Sequence, residues 1–181
     1  MNYHKIEKTS VANGTGIRVV LWVSGCSLHC RGCHNPETWN LNSGKPFDEE
    51  AKMELFEALD KPYIQGITFS GGHPLEPQNV EEVLSLCKEI KEKFPTKDIW
   101  LYTGYTFEDI CEKYCNKSIW NLFRNVAEYN IWSNIQYIDV LVDGKFIEEE
   151  KDITLLFRGS KNQRLIDIQK SIKEQDVVLY N

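Results

Sequence analysis

An α/β fold with a mostly parallel sheet is the architecture this sequence predicts, and three observations carry that prediction. Short runs of β-branched and aromatic residues alternate with segments of helical period. Four of the runs end in turn-forming residues of the kind that open a βα loop: Gly25, Gly71-Gly72, Thr103-Gly104 and Asp143-Gly144. The length of 181 residues suits one domain, and such a chain buries roughly 70% of its unfolded surface without needing a metal to fold.

Taken in order, the apolar run Ile17–Val23 is the first predicted strand, and it leads directly into a cysteine-rich loop. Asp48 is placed to cap a helix from Glu49 to about Leu59, with Lys52, Leu55, Phe56 and Leu59 on one face. Gly66–Ser70 reads as a buried strand. The segment from Pro77 to Phe94 carries Val80, Val83, Leu84, Cys87, Ile90 and Phe94 near 3.6-residue spacing, and Pro95 stops it. Asp98–Tyr102 is the next strand. Helical patterns follow at Phe107, Ile110, Cys111 and Tyr114, and again at Leu122, Phe123 and Val126. Strands are expected at Tyr137–Val142 and Ile153–Phe157, with β-like runs at Leu165–Ile168 and Val177–Tyr180. Parallel sheets gather their chemistry at the carboxyl ends of the strands, so the four strand-end motifs are expected to meet.

The first of them is the richest. Cys26, Cys30 and Cys33 stand at C-x3-C-x2-C spacing in one short loop. Soft thiolates select iron–sulfur clusters, zinc or copper(I) over hard ions. A four-iron cluster normally takes four cysteines, so three would leave one iron open to a ligand. A structural Cys3His zinc site built with His34 is the rival reading, although neighbours such as Cys33 and His34 rarely both turn onto one tetrahedral ion. Haem-attachment and thioredoxin-type readings of Cys30 to His34 leave Cys26 unexplained. Cys111 and Cys115, four residues apart, lack companions for a second metal site, and Cys87 fits the core face of its helix; buried free thiols suit all three.

Composition narrows the partners. A net charge of −6 argues against broad nucleic-acid or anionic-membrane binding. No apolar stretch reaches the length of a membrane span. Met1 to Ser10 is polar with mixed charge, unlike a signal peptide. Six cysteines without export features fit a reducing cytoplasm, where thiols bind metal or stay free.

The C-x3-C-x2-C loop resembles that of radical S-adenosylmethionine (SAM) enzymes, and the longer run Gly25-Cys26 through Cys33-His34-Asn35-Pro36-Glu37-Thr38-Trp39 is similar to the activating enzymes of glycyl-radical proteins. Four further segments narrow the likeness: Ser70-Gly71-Gly72-His73-Pro74-Leu75, Trp100 to Tyr105, Val142 to Phe146, and Arg158 to Arg164. Together they resemble the family that activates anaerobic (class III) ribonucleotide reductases, from the N-terminus to about Ile168. The chain departs from that family by placing His73 where Asp is usual, and by a longer stretch from about Cys111 to Ile135.

The resemblance implies a partial, open (βα) barrel of the radical SAM type as one domain over residues 1–181. Its cluster loop would span residues 24–39, its insertion about 111–135 and its C-terminal extension about 169–181. It further implies a [4Fe-4S] cluster on Cys26, Cys30 and Cys33, and SAM against Gly32, Cys33, His34, Gly71 and Gly72. Thr103, Asp143 and Lys145 are either polar SAM contacts or strand-end turn residues, and the Arg158–Arg164 segment either docks a partner or builds local structure. The implied function is to form a glycyl radical on the large subunit of anaerobic ribonucleotide reductase, supplied by a low-potential electron donor such as a flavodoxin or ferredoxin. An activase of the formate-lyase type, a small-molecule radical SAM enzyme and a zinc-binding module are the alternatives.

Overall fold

The computed structural model describes residues 1–115 and 131–181. The helical pattern at Leu122, Phe123 and Val126, and with it most of the long stretch around Trp120–Trp132, lies outside the described residues.

Among those described, the elements run β1 (Asn2–Ser10), β2 (Arg18–Val23), β3 (Lys45–Pro46), α1 (Glu49–Leu59), β4 (Gly66–Gly71), α2 (Val80–Lys93), β5 (Asp98–Tyr102), α3 (Phe107–Cys115), β6 (Val140–Asp143), β7 (Arg164–Asp167) and α4 (Ile168–Glu174), with 3-10 turns at Pro36–Thr38, Ile131–Tyr137 and Glu148–Glu150. They form a seven-stranded sheet in the order β3-β1-β2-β4-β5-β6-β7. The four central strands β2, β4, β5 and β6 are parallel, as βα alternation requires. The flanks are antiparallel, so the sheet is mixed rather than parallel throughout.

The structure adds a strand that the sequence did not predict and alters several predicted runs, the strand expected from Tyr137 beginning only at Val140. Residues Asn2 to Ser10 form a nine-residue strand. Its burial is confined to Tyr3 and Ser10, leaving a half-solvated alternation too polar to register as a strand. The run Ile153–Phe157 is not a strand. Asp152 accepts hydrogen bonds from the backbone N–H and hydroxyl of Thr154, which bends the chain into turns, and Ile153 is 90% exposed. The β-like run at Leu165–Ile168 ends one residue early, because Asp167 caps a short helix by accepting from the Lys170 N–H.

Side chains of the central strands alternate between two faces, both buried. Val19, Leu21 and Val23, Ile67 and Phe69, and Ile99 and Leu101 face α1, α2 and the Ile131–Tyr137 turn in the main core. The other face carries Val20, Arg18, Thr68, Trp100, Val140 and Val142, all buried. There the Arg18 guanidinium, fully buried, pairs with Asp98 at 2.5 Å and donates to Thr68 and to the carbonyls of Thr15 and Ile67. A buried cation with this many partners is satisfied, and it fixes one end of that face. At the other end Trp22, Ser70 and Tyr102 are left to line a cleft. No helix of the described residues is long and apolar enough to cross a membrane.

Candidate metal centre

The cleft, about 410 Å³, opens at the carboxyl ends of the parallel strands. Its walls include Cys26, Cys30, Cys33 and His34 from the loop after β2, Gly71, Gly72 and His73 after β4, Thr103 and Gly104 after β5, and Gly144 after β6. All four strand-end motifs therefore meet, as the alternation predicts. Gly32 and Lys145 are not among the lining residues. Gly32 packs its open α-carbon against the Glu148 side chain, and Lys145 is exposed in a neighbouring depression.

The cysteine loop is held from three sides. The Pro36–Thr38 turn offers the carbonyls of Thr38 and Trp39 to the N–H groups of Gly25 and Cys26, at 2.7 and 3.1 Å. Leu28 packs into the space that Gly104 leaves by having no side chain. Glu76 accepts from both the N–H and the hydroxyl of Ser27, at 3.0 and 3.1 Å. Within the loop, the Asn35 N–H points at the Cys33 sulfur, 3.3 Å away. Burial pushes the Cys26 thiol up, opposed by N–H groups of Leu28 and His29. Burial also raises Cys30, opposed by the charge of Lys145 and the Phe146 N–H. Amide donors aimed at sulfur suit thiolates that a cation has deprotonated, so this donor set fits an iron–sulfur cluster. Among the described residues no three His, Cys, Asp or Glu side chains close on a single ion.

The Gly-Gly turn is tied to the same loop. Gly72 donates to the Val23 carbonyl at 2.8 Å and His73 to that of Gly25 at 2.7 Å. A Cβ on Gly72 would stand 2.6 Å from the Gly25 oxygen, so close approach demands glycine here. These two N–H groups are thus consumed inside the protein rather than left for a ligand. His73 is buried: its Nε2 lies 2.8 Å from the Thr103 hydroxyl, and its Nδ1 3.5 Å from Glu76. It braces the turn between two strand ends.

Thr103 and Asp143 also face inward. The Thr103 hydroxyl accepts from the Tyr105 N–H as well as meeting His73. Asp143 is buried, accepts from the Phe107 N–H and pairs with Arg164, which also binds Glu108. Residues 158–164 are built around Gln163. Its Oε1 accepts from the N–H groups of Gly159 and Ser160, its Nε2 donates to the Gly144 carbonyl, and Arg158 donates to its backbone oxygen. These bonds tie the segment into its own turn, while Arg158 and Gly159 also line the cleft.

Sequence reasoning passed over Glu76, Asn79 and Phe146. Asn79 precedes α2 in the position of a capping residue, yet its amide instead donates to the carbonyls of Ser24 and His73. Phe146 lines the cleft 5.7 Å from the His34 ring, a pairing visible only once β6 lies beside the cysteine loop.

A profile of the 4Fe-4S single cluster domain family matches residues 12–166. The chain is 44% identical over 165 residues to the anaerobic ribonucleoside-triphosphate reductase-activating protein of Enterobacteria phage T4, covering 91% of this chain and 93% of that one. It belongs to that activating-protein family. The Escherichia coli K12 protein of the same name is 41% identical across 90% of this chain and 96% of its own length, and that of Vibrio cholerae is 40% identical over similar shares. The profile takes in the cleft's four strand-end motifs, from Cys26 to Gly144, so the family resemblance and the geometry converge on one region.

Proposed function

We propose that this activating protein carries a [4Fe-4S] cluster on Cys26, Cys30 and Cys33, binds SAM in the same cleft, and forms a glycyl radical on the large subunit of anaerobic ribonucleotide reductase. The observation that carries the proposal is the single cleft shared by three cysteines and the Gly71-Gly72 turn. In this reading the sheet is a partial, open barrel of the radical SAM type, residues 1–181 make one domain, and the protein works in a reducing cytoplasm with a flavodoxin- or ferredoxin-like donor.

When bound, the cluster and SAM supply one-electron cleavage of the sulfonium to a 5′-deoxyadenosyl radical that removes hydrogen from a glycine Cα. The chain's own part is ligation, orientation and shielding. Cys26, Cys30 and Cys33 would hold the cluster through their thiolates and leave it one site for the ligand. The ligand's amino group needs acceptors, and the carbonyls of the Gly71-Gly72 turn suit it, since the N–H groups of Gly72 and His73 are already engaged. Cys33 and His34 would lie along the adenine, with the Phe146 ring on the same wall and Gly32 supporting the loop from behind, against Glu148. Trp22, Tyr102 and Phe157 supply an apolar lining that keeps water from a reactive carbon centre. No side chain is needed as acid or base.

The test is to combine the anaerobically purified protein with the reductase, SAM and a reductant, and to look for the organic-radical resonance. About four irons per chain are expected. Stoichiometric zinc without iron would overturn the reading.

A further inference from the structure

We infer that the turn at residues 151–160, with the exposed aliphatic side chains Ile153 and Leu156 at its tip, is the docking element for the glycine-bearing segment of the reductase; this rests on the proposed function above. The turn has two kinds of apolar residue. Leu155 and Phe157 line the cleft, while Ile153 and Leu156 stand 90% and 74% exposed beside them. A second wall repeats the arrangement. Ala12 and Asn13 line the cleft, and Val11 next to them is 72% exposed. On both walls an exposed aliphatic residue thus stands next in sequence to residues that line the cleft.

The turn is held rigidly. Lys151 and Ser160 pair across its base, Asp152 donates its N–H to the Gly159 carbonyl, and the Asp152 side chain caps Thr154. The Tyr102 hydroxyl donates to the Phe157 carbonyl at 2.7 Å. The Phe157 ring stands edge-on to Trp100, and its backbone sits at φ +58, a left-handed conformation that a bulky residue rarely adopts. Strained, cross-linked backbone that presents aliphatic side chains to water is poor for stability and good for recognition. Side chains ordered in advance lose less entropy on binding.

Size decides what sits there. A cleft of about 410 Å³ lies at the small end of ligand pockets and has room for a nucleoside-sized molecule, not for a folded polypeptide. A protein substrate must rest on the rim and reach in with a thin, extended segment. A glycine-containing strand is thin enough, and its flanking apolar residues would meet Ile153 and Leu156.

The experiment compares Ile153→Glu/Leu156→Glu and Ile153→Ser/Leu156→Ser with wild type, and with a control pair, Met53→Glu/Tyr63→Glu, which changes exposed apolar residues on and just after α1. Affinity for the reductase large subunit, radical yield and uncoupled reductive SAM cleavage are measured on cluster-loaded protein. Both rim variants should bind the reductase at least tenfold more weakly and lose radical yield in step, with SAM cleavage and thermal unfolding unchanged; the control should match wild type. Unchanged affinity in the rim variants overturns the inference. So does equal weakening in the control, or rim variants that only dissociate a homo-oligomer. Failure of the underlying reading shows elsewhere, as wild-type protein that does not cleave SAM, and takes this inference with it.

Discussion

The loop after β2 and the turns after β5 and β6 hold equivalent places at the carboxyl edge of one sheet, yet they use their polar groups in opposite ways. Cys26, Cys30 and Cys33 line the cleft. Thr103 and Asp143 spend theirs inside the protein, on His73, the Tyr105 and Phe107 N–H groups, and Arg164. Strand ends that look alike in sequence thus divide into a side that faces the cleft, ligating in the proposed function, and a bracing side. Under the proposed function the brace matters because three sulfurs would have to meet a cluster at fixed separations, and a loop holds such positions only when rigid elements support it.

The sharpest break between the two sides is Cys30→Ala. Iron should fall to trace amounts and SAM cleavage should vanish. Cluster-free protein should unfold within about 1 kcal/mol of wild type, since no core side chain is removed. Iron analysis and urea unfolding of the same preparation check both halves. Global unfolding would make the site a structural one.

Asp143→Ala should do the reverse. Removing a buried carboxylate strands the Phe107 N–H and takes one of two acidic partners from Arg164. Breaking a buried pair costs about 3 kcal/mol at the lower end of the usual range, which Glu108 justifies by remaining in place. For a chain of this size that lowers Tm by roughly 6–12 °C. Iron content per folded molecule should be unchanged, and a selective loss of iron would place Asp143 on the ligating side after all.

Thr103→Val separates two readings of one residue. If the hydroxyl is a brace, the variant leaves buried His73 with one fewer partner and loses about 1–2 kcal/mol of stability, with KM for SAM unmoved. If it contacts the ligand, KM rises and stability holds.

The same division explains what the sequence could disclose. The central strands were legible as short apolar runs buried on both faces, and α1 by its 3.6-residue spacing, with Asp48 capping it as its position suggests. The three cysteines were legible because their spacing alone restricts their chemistry. β1 was not, since its partner strands rather than its own apolarity hold it in the sheet. Nor were Glu76, Asn79 and His73 legible as braces. Each reaches a loop distant in sequence, Glu76 across 49 residues to Ser27 and Asn79 across 55 to Ser24. Period and propensity carry no record of such contacts. Ile153–Phe157 misled in the opposite sense: an apolar run ordinarily means burial, and here Ile153, Thr154 and Leu156 face water.

The outermost member of the brace gives the smallest effect and a defined pH signature. The hydrogen bond from Arg164 holds the Glu108 carboxyl below its ordinary value of 4.5, against a lesser opposing effect of burial. A carboxyl depressed in the folded state contributes its stability in full above the unfolded value and loses it as pH falls through the folded one. The stability gap between wild type and Glu108→Gln should therefore be constant from neutrality down to about pH 5, shrink below 4.5, and close once both forms are protonated. With the Glu108 side chain 60% exposed, solvent screens the pair and the plateau should be only about 0.5 kcal/mol. Urea unfolding of cluster-free protein at a series of pH values would show it. A gap that widens in acid would mean Arg164 serves Asp143 alone, with Glu108 a bystander at the surface.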